Sequence, residues 1–371
     1  MFRRGGFRLL LWLGLVLAGC ETGAPVAHSP RTAPGGRVDT LPIPEAPVLI
    51  PARDAAAVHP SSTIVAPPAI TAPVGSPSAA VAASEPVPYW VDWQTWLAEH
   101  GNPRAEVIPG SRRALWNGVP LYLGFEPRLM DHRIEVLRRD VEKNFVPLLG
   151  REPAVPLERR IVIDPGHGGT NSGTRMYTGS LFEKQLTLDW ALRLAALLEA
   201  RGWTVALTRT NDATLDLPAR VDCADRAGAA LFVSLHFNGA FPNAEVHGLE
   251  TYCLTPKGLP STVTRDFADD ASQNWPNNAF DAANLRLAMR IHRALIQKTG
   301  AVDRGVRRAR FMGVLRGQRR PAILIEGGFL SNPTEASRIA TAEYRQQLAE
   351  AVAAALDDKA SAARGIPAAA F

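Results

Sequence analysis

Only three cysteines occur in the 371 residues, Cys20, Cys223 and Cys253. That is too few for a disulfide framework, and their spacing matches no metal-binding motif. The HExxH pattern of many zinc hydrolases is missing too. Neither sign of charge dominates, since 41 basic residues face 36 acidic ones and leave a net charge of +5. Such a mildly basic surface suits anionic polymers without naming one. With no RNA- or DNA-binding motif in the chain, nucleic acid is not expected as a partner. No internal repeat is visible.

Aromatic residues are absent from Glu21 to Pro88, and 14 of the 30 prolines fall there. This stretch, rich in Ala, Ser, Thr and Val, cannot bury a core and reads as a disordered or polyproline-like linker over 21–88. Ahead of it, Arg3, Arg4 and Arg8 precede an apolar run from Leu9 to Leu17 and then Ala18-Gly19-Cys20. That is a charged region, a short apolar core and a small-residue cleavage site. The run is too short to span a bilayer as a mature helix. "LAGC" resembles a bacterial lipoprotein lipobox. The resemblance implies a signal peptide over 1–20, a lipid on Cys20 as the link to membrane, and, with Glu21 following, a periplasmic protein held at the outer membrane. The other reading is an ordinary signal peptide with a chance cysteine. Export would permit a disulfide between Cys223 and Cys253; two buried free thiols is the plainer reading.

Aromatics return at Tyr89. Trp90, Trp93 and Trp96 fall at helical spacing, which suits a helix packing into a core better than a carbohydrate-stacking stripe. Asn117-Gly118 signals a hairpin. Residues 89–150 read as a small α+β accessory domain.

From about Arg159 strands and helices alternate. "IVIDP", "WTVALTRT", "LFVSLHFN", "GLETYCL" and "PAILIEGGF" read as strands, with helices over about Glu183–Arg201, after Asp216 and over about Asp281–Lys298. "VRRARFMGVLR" reads as extended. The expected fold is an α/β layer with a mostly parallel sheet over 159–357, followed by a flexible tail over 358–371.

Ligands in such sheets bind beyond strand ends. His167 follows the strand Ile161–Ile163, His236 ends "LFVSL", Glu326 ends "PAILI", and Glu183 opens a helix. Two neutral imidazoles and a carboxylate suit zinc, and a second carboxylate suits proton transfer. Pro165 and the glycines of "IVIDPGHGG" let the backbone wrap closely around a metal, and Asp164 could orient the site as an acceptor behind it. Spacing alone does not assign the metal, because a histidine at a strand end is commonly a polar rim residue.

The stretches "IVIDPGHGG", "LFEKQLTLDWALRLAALLEARGWTVALTRT", "RAGAALFVSLHFNGA", "HGLETYCL", "DRGVRRARFMGVLR" and "AILIEGGFLSNPTEA" together resemble the zinc-dependent N-acetylmuramoyl-L-alanine amidases of bacterial cell walls. The resemblance covers roughly Arg159 to Asp357. It implies Zn2+ as cofactor, His167, Glu183 and His236 as its ligands, Glu326 as the catalytic glutamate, and peptidoglycan as the partner and substrate. It leaves room for an activator protein, and a monomer is the expected state. At Asn171 the family usually has Asp. Two other functions stay open here, a catalytically silent peptidoglycan-binding lipoprotein and a zinc amidohydrolase acting on soluble muropeptides.

Two further segments carry expectations. The basic run Arg304, Arg307, Arg308, Arg310, Arg316, Arg319 and Arg320 suits a solvated edge, or contact with stem-peptide carboxylates or glycan oxygens. The stretch from Leu254 to Phe280 is long and rich in turn formers. Placed after a strand expected to end near the site, it reads as a wall or lid of the substrate groove in preference to an autoinhibitory helix.

Overall fold

The computed structural model describes residues 89–150, 154–177, 179, 181–263 and 269–357. The signal-peptide, linker and tail expectations for 1–20, 21–88 and 358–371 lie outside them.

The strands are β1 (Trp90–Asp92), β2 (Ala105–Val107), β3 (Arg113–Trp116), β4 (Val119–Tyr122), β5 (Arg128–Met130), β6 (Arg133–Leu137), β7 (Arg160–Pro165), β8 (Thr204–Leu207), β9 (Leu231–Asn238), β10 (Leu249–Cys253), β11 (Asp303–Arg308) and β12 (Ala322–Phe329). Nine of them form one sheet in the order β2-β3-β4-β11-β10-β12-β9-β7-β8. Strands β12, β9, β7 and β8 are mutually parallel. Their near-continuous apolar runs fit strands covered on both faces. Along β7, Ile161 and Ile163 enter one apolar cluster while Val162 enters another across the sheet. This period of two is what a two-sided strand requires.

Helices supply both covers. The helix Glu183–Glu199 buries Leu186, Trp190, Leu194 and Leu198, one stripe at helical spacing. It packs against the helix Ala342–Leu356, which in turn packs against the helix Asp281–Thr299. On the other face lies the helix Leu217–Arg226, started by Asp216, whose carboxylate accepts from the Ala219 N–H. Cys223 and Cys253 are both buried and free. No helix among the described residues is long and apolar enough to cross a membrane.

Residues 89–150 carry short helices and strands, and three of these strands form a small sheet in the order β1-β6-β5. The stretch is not set apart. Its hairpin β3–β4, turning at Asn117-Gly118, joins the main sheet where β4 pairs with β11 in parallel. Trp93 and Trp96 stack on each other and pack at a tilt against Phe145 inside the same continuous core. They are core residues and not a sugar-stacking stripe.

Strand β10 overturns the expectation for Leu254–Phe280. It runs antiparallel to β12, with Glu250 opposite Glu326 and Tyr252 opposite Leu324. The chain therefore leaves β10 at the end of the sheet away from Glu326. The described part of 254–280 is strapped there by Arg310, which donates to the carbonyls of Leu259 at 2.6 Å and Asp270 at 2.8 Å. Lid, wall and blocking helix all lose their premise, which was a strand ending beside the site.

The basic run is only in part a solvated edge, with Arg319 exposed. Arg308, Arg310 and Arg320 are buried. Arg308 donates to Lys143 O and Asn144 Oδ1, tying 89–150 to the main sheet.

Candidate metal centre

His167, Glu183 and His236 come together at the ends of β7, the first helix after it, and β9. Their ligand atoms lie within 4.8 Å of one another, the one such cluster among the described residues. Glu183 is the hub. Its Oε1 accepts from His236 Nδ1 at 2.9 Å and from the Phe237 N–H at 3.0 Å. Its Oε2 lies 3.1 Å from His167 Nε2 and accepts from the Thr174 N–H at 2.9 Å. Burial pushes the Glu183 carboxyl up, but hydrogen bonds from His167 and His236 outweigh it and hold the group down at about 2. A carboxylate kept ionised between two imidazoles is the donor set of a divalent metal site.

The glycines explain why the backbone can come so close. A Cβ on Gly173 would sit 2.5 Å from Glu183 Oε2 and 2.7 Å from His167 Cδ2, and its φ of +67° already favours glycine. A Cβ on Gly166 would meet the His236 ring at 2.3 Å. The residues present thus close tightly around three converging donors, and the site fits a small cation.

His167 itself has a φ of +62°, a left-handed conformation uncommon outside glycine and kept here by its surroundings. Two buried arginines do the holding. Arg209 donates to Pro165 O at 3.0 Å and to Gly166 O at 2.8 Å. Arg220 donates to Pro165 O at 3.0 Å and to His167 O at 2.8 Å. Burial pulls the Arg209 guanidinium down to about 10, helped by the nearby Arg220 charge. Asp164 does not reach either histidine, contrary to the expectation from sequence. It accepts from Arg220 Nη1 at 2.6 Å, from Thr208 at 2.6 Å and from Ser234 at 2.7 Å. The acceptor behind His167 is instead Asn171 Oδ1, 2.9 Å from His167 Nδ1.

Glu326 stands on β12 in register with His236 on β9 and with Glu250 on β10. Residues opposite each other on adjacent strands share a face about 5 Å apart, so Glu326 borders the three-donor cluster from the sheet side. Glu250, buried next to it, accepts from Tyr252 Oη and from Arg304 Nε at 2.7 Å. Arg304 and Arg307 both pair with this carboxylate. Sequence reasoning missed Arg209, Arg220 and Glu250. The only signal was an arginine directly after an apolar strand in "WTVALTRT".

A family model described as N-acetylmuramoyl-L-alanine amidase matches residues 161–358, over half of the chain. The chain belongs to that family. All four residues just placed, His167, Glu183, His236 and Glu326, fall inside the matched stretch. Among curated relatives of this amidase family, LytC of Bacillus subtilis is 33% identical over 221 residues, which is 56% of this chain and 39% of LytC. AmiA of Escherichia coli is 29% identical over 217 residues, 53% of this chain and 74% of AmiA. The match thus spans well under two thirds of LytC and 64% of the amidase CwlM of Bacillus licheniformis. Among solved structures, amidase AmiC2 of Nostoc punctiforme is 32% identical with a TM-score of 0.43, over 55% of this chain and 96% of that one.

Proposed function

We propose that this amidase-family chain hydrolyses the amide between the lactyl group of N-acetylmuramic acid and L-alanine in peptidoglycan, with zinc as its metal. The observation that carries the reading is the convergence of His167, Glu183 and His236 within 4.8 Å, inside the family match, with Glu326 in register beside them. In this reading His167, Glu183 and His236 would hold the ion, which would supply Lewis-acid polarisation of the amide carbonyl and make the attacking water more acidic. Glu326 accepts the proton released as water oxygen bonds to the carbonyl carbon. It then delivers that proton to the departing L-alanine nitrogen as the C–N bond breaks, leaving a lactyl carboxylate and a free amine. Arg209 and Arg220 keep His167 in its left-handed position throughout.

The localisation proposal rests on sequence. Cys20 in "LAGC" and the aromatic-free stretch 21–88 support a lipid-anchored periplasmic protein, held at the outer membrane on a long tether.

The deciding experiment incubates the zinc-loaded chain with intact sacculi and, separately, with soluble muropeptides. New L-alanine amino groups released from sacculi, identified by mass spectrometry, are the expected result. Cleavage of muropeptides alone would leave a zinc amidohydrolase of soluble fragments. Binding without cleavage of either would leave a silent wall-binding lipoprotein.

A further inference from the structure

Asn171 makes contacts that its place in an exposed loop does not require. Its Oδ1 lies 2.9 Å from His167 Nδ1 and 3.2 Å from the backbone nitrogen of Gly173. The Gly173 nitrogen carries a hydrogen and can only donate. The side-chain atom it meets must therefore be the amide oxygen, which fixes the orientation of the Asn171 side chain. An oxygen facing Nδ1 needs a hydrogen there. With a cation in place of the hydrogen that Nε2 gives to Glu183 Oε2, 3.1 Å away, a neutral ring protonated on Nδ1 would offer its Nε2 lone pair to that cation.

The loop leaves Asn171 little choice of position. Its backbone N–H donates to Gly168 O at 3.1 Å, and its carbonyl accepts from the Gly168 N–H at 2.8 Å. This reciprocal pair closes the turn that follows His167. Arg220 grips the His167 carbonyl from the other side at 2.8 Å. Arg220 thus fixes the backbone of His167, and Asn171 fixes its ring.

We propose that Asn171 is a positioning residue that selects the Nδ1-protonated tautomer of His167, presents Nε2 to the metal, and sets the affinity of the site through a neutral acceptor. The proposal rests on the reading that His167, Glu183 and His236 hold zinc. A neutral amide draws less on the Nδ1 proton than a carboxylate does, so it leaves the ring a weaker donor. Aspartate at this position would offer an acceptor to the same two N–H groups and add a full negative charge. It should strengthen the metal site, while alanine should release the ring.

The test measures zinc dissociation constants of the apo chain by competition with a chromophoric chelator, for wild type, Asn171→Asp and Asn171→Ala. Circular dichroism checks that each variant folds. Long-range 1H–15N spectra of the zinc-loaded wild type report which His167 nitrogen carries the proton. The expected results are a proton on Nδ1, binding about 10–100-fold weaker in Asn171→Ala, and tighter binding in Asn171→Asp. The tautomer measurement needs no variant, so a misfolded Asn171→Ala does not rescue the idea. A proton on Nε2, or wild-type affinity in both folded variants, overturns the proposal while leaving the zinc reading intact. A wild-type chain that takes up no zinc overturns both.

Discussion

Glu326 stands directly opposite His236 across the parallel pair β12 and β9. Both residues lie within paired strands, so the candidate proton carrier and a candidate ligand share a rigid frame. Because Glu326 is not in the three-donor cluster, Glu326→Gln should keep zinc and lose turnover on sacculi by about 10²–10⁴-fold. Metal content and rate measured on the same preparation check this. Near-full activity would remove Glu326 from the chemistry.

His167→Ala or His236→Ala should lose both metal and activity, since either leaves two protein donors where three converge. Zinc content after exhaustive dialysis decides it. Full occupancy in one variant would exclude that histidine from the site.

Asp164 and Arg220 form a buried pair with side chains 1% and 5% exposed. Asp164→Asn should destabilise the fold by about 3–5 kcal/mol, because the Arg220 charge stays buried without its partner. Burial pushes the Asp164 carboxyl up, but the Arg220 charge and the Thr208 and Ser234 hydroxyls outweigh it and hold the group below 3.8. The stability this pair contributes is therefore fully present above about pH 3.8 and is lost as pH falls through the lower folded value. Denaturant unfolding of wild type and variant at neutral pH and across the acid range tests both the size and the sign. Equal stability at neutral pH would sink the argument.

Much of this was legible in sequence, for a physical reason. Strands β7, β9 and β12 are covered on both faces, so they read as apolar runs, and the residues at their ends stand out. Glu183 marked a helix start and proved to be the first residue of that helix. Three things were hidden. The direction of β10 depends on long-range pairing that no local pattern encodes. Arg209, Arg308 and Arg310 are buried although arginine is ordinarily a surface residue. Asn171 replaces Asp164 as the acceptor behind His167, since the Asp164 carboxylate is taken up by Arg220, Thr208 and Ser234.

Cys20→Ser should move the protein from the membrane fraction to the soluble periplasmic fraction with catalysis unchanged. The motive is "LAGC" followed by the aromatic-free stretch to Pro88. Fractionation followed by a sacculus assay on each fraction reads both effects. Persistent membrane association of the variant would argue against a lipid on this cysteine.

The reversed direction of β10 makes the last expectation specific. Arg310 holds the segment after β10 through Leu259 O, Asp270 O and Pro256 O, and its guanidinium also lies 3.5 Å from Asp269. Asp269 in turn accepts from Ser261 N and Ser261 Oγ. Arg310→Ala would strip these acceptors of a buried donor and should cost about 2–4 kcal/mol of stability. The segment leaves the sheet at the end away from Glu326, so zinc content and turnover per folded molecule should stay at wild-type values. A lid or groove wall would give the opposite pattern, with stability little changed and KM for sacculi raised. Thermal unfolding combined with KM and kcat on sacculi separates the two, because a strap and a lid place their losses in different quantities.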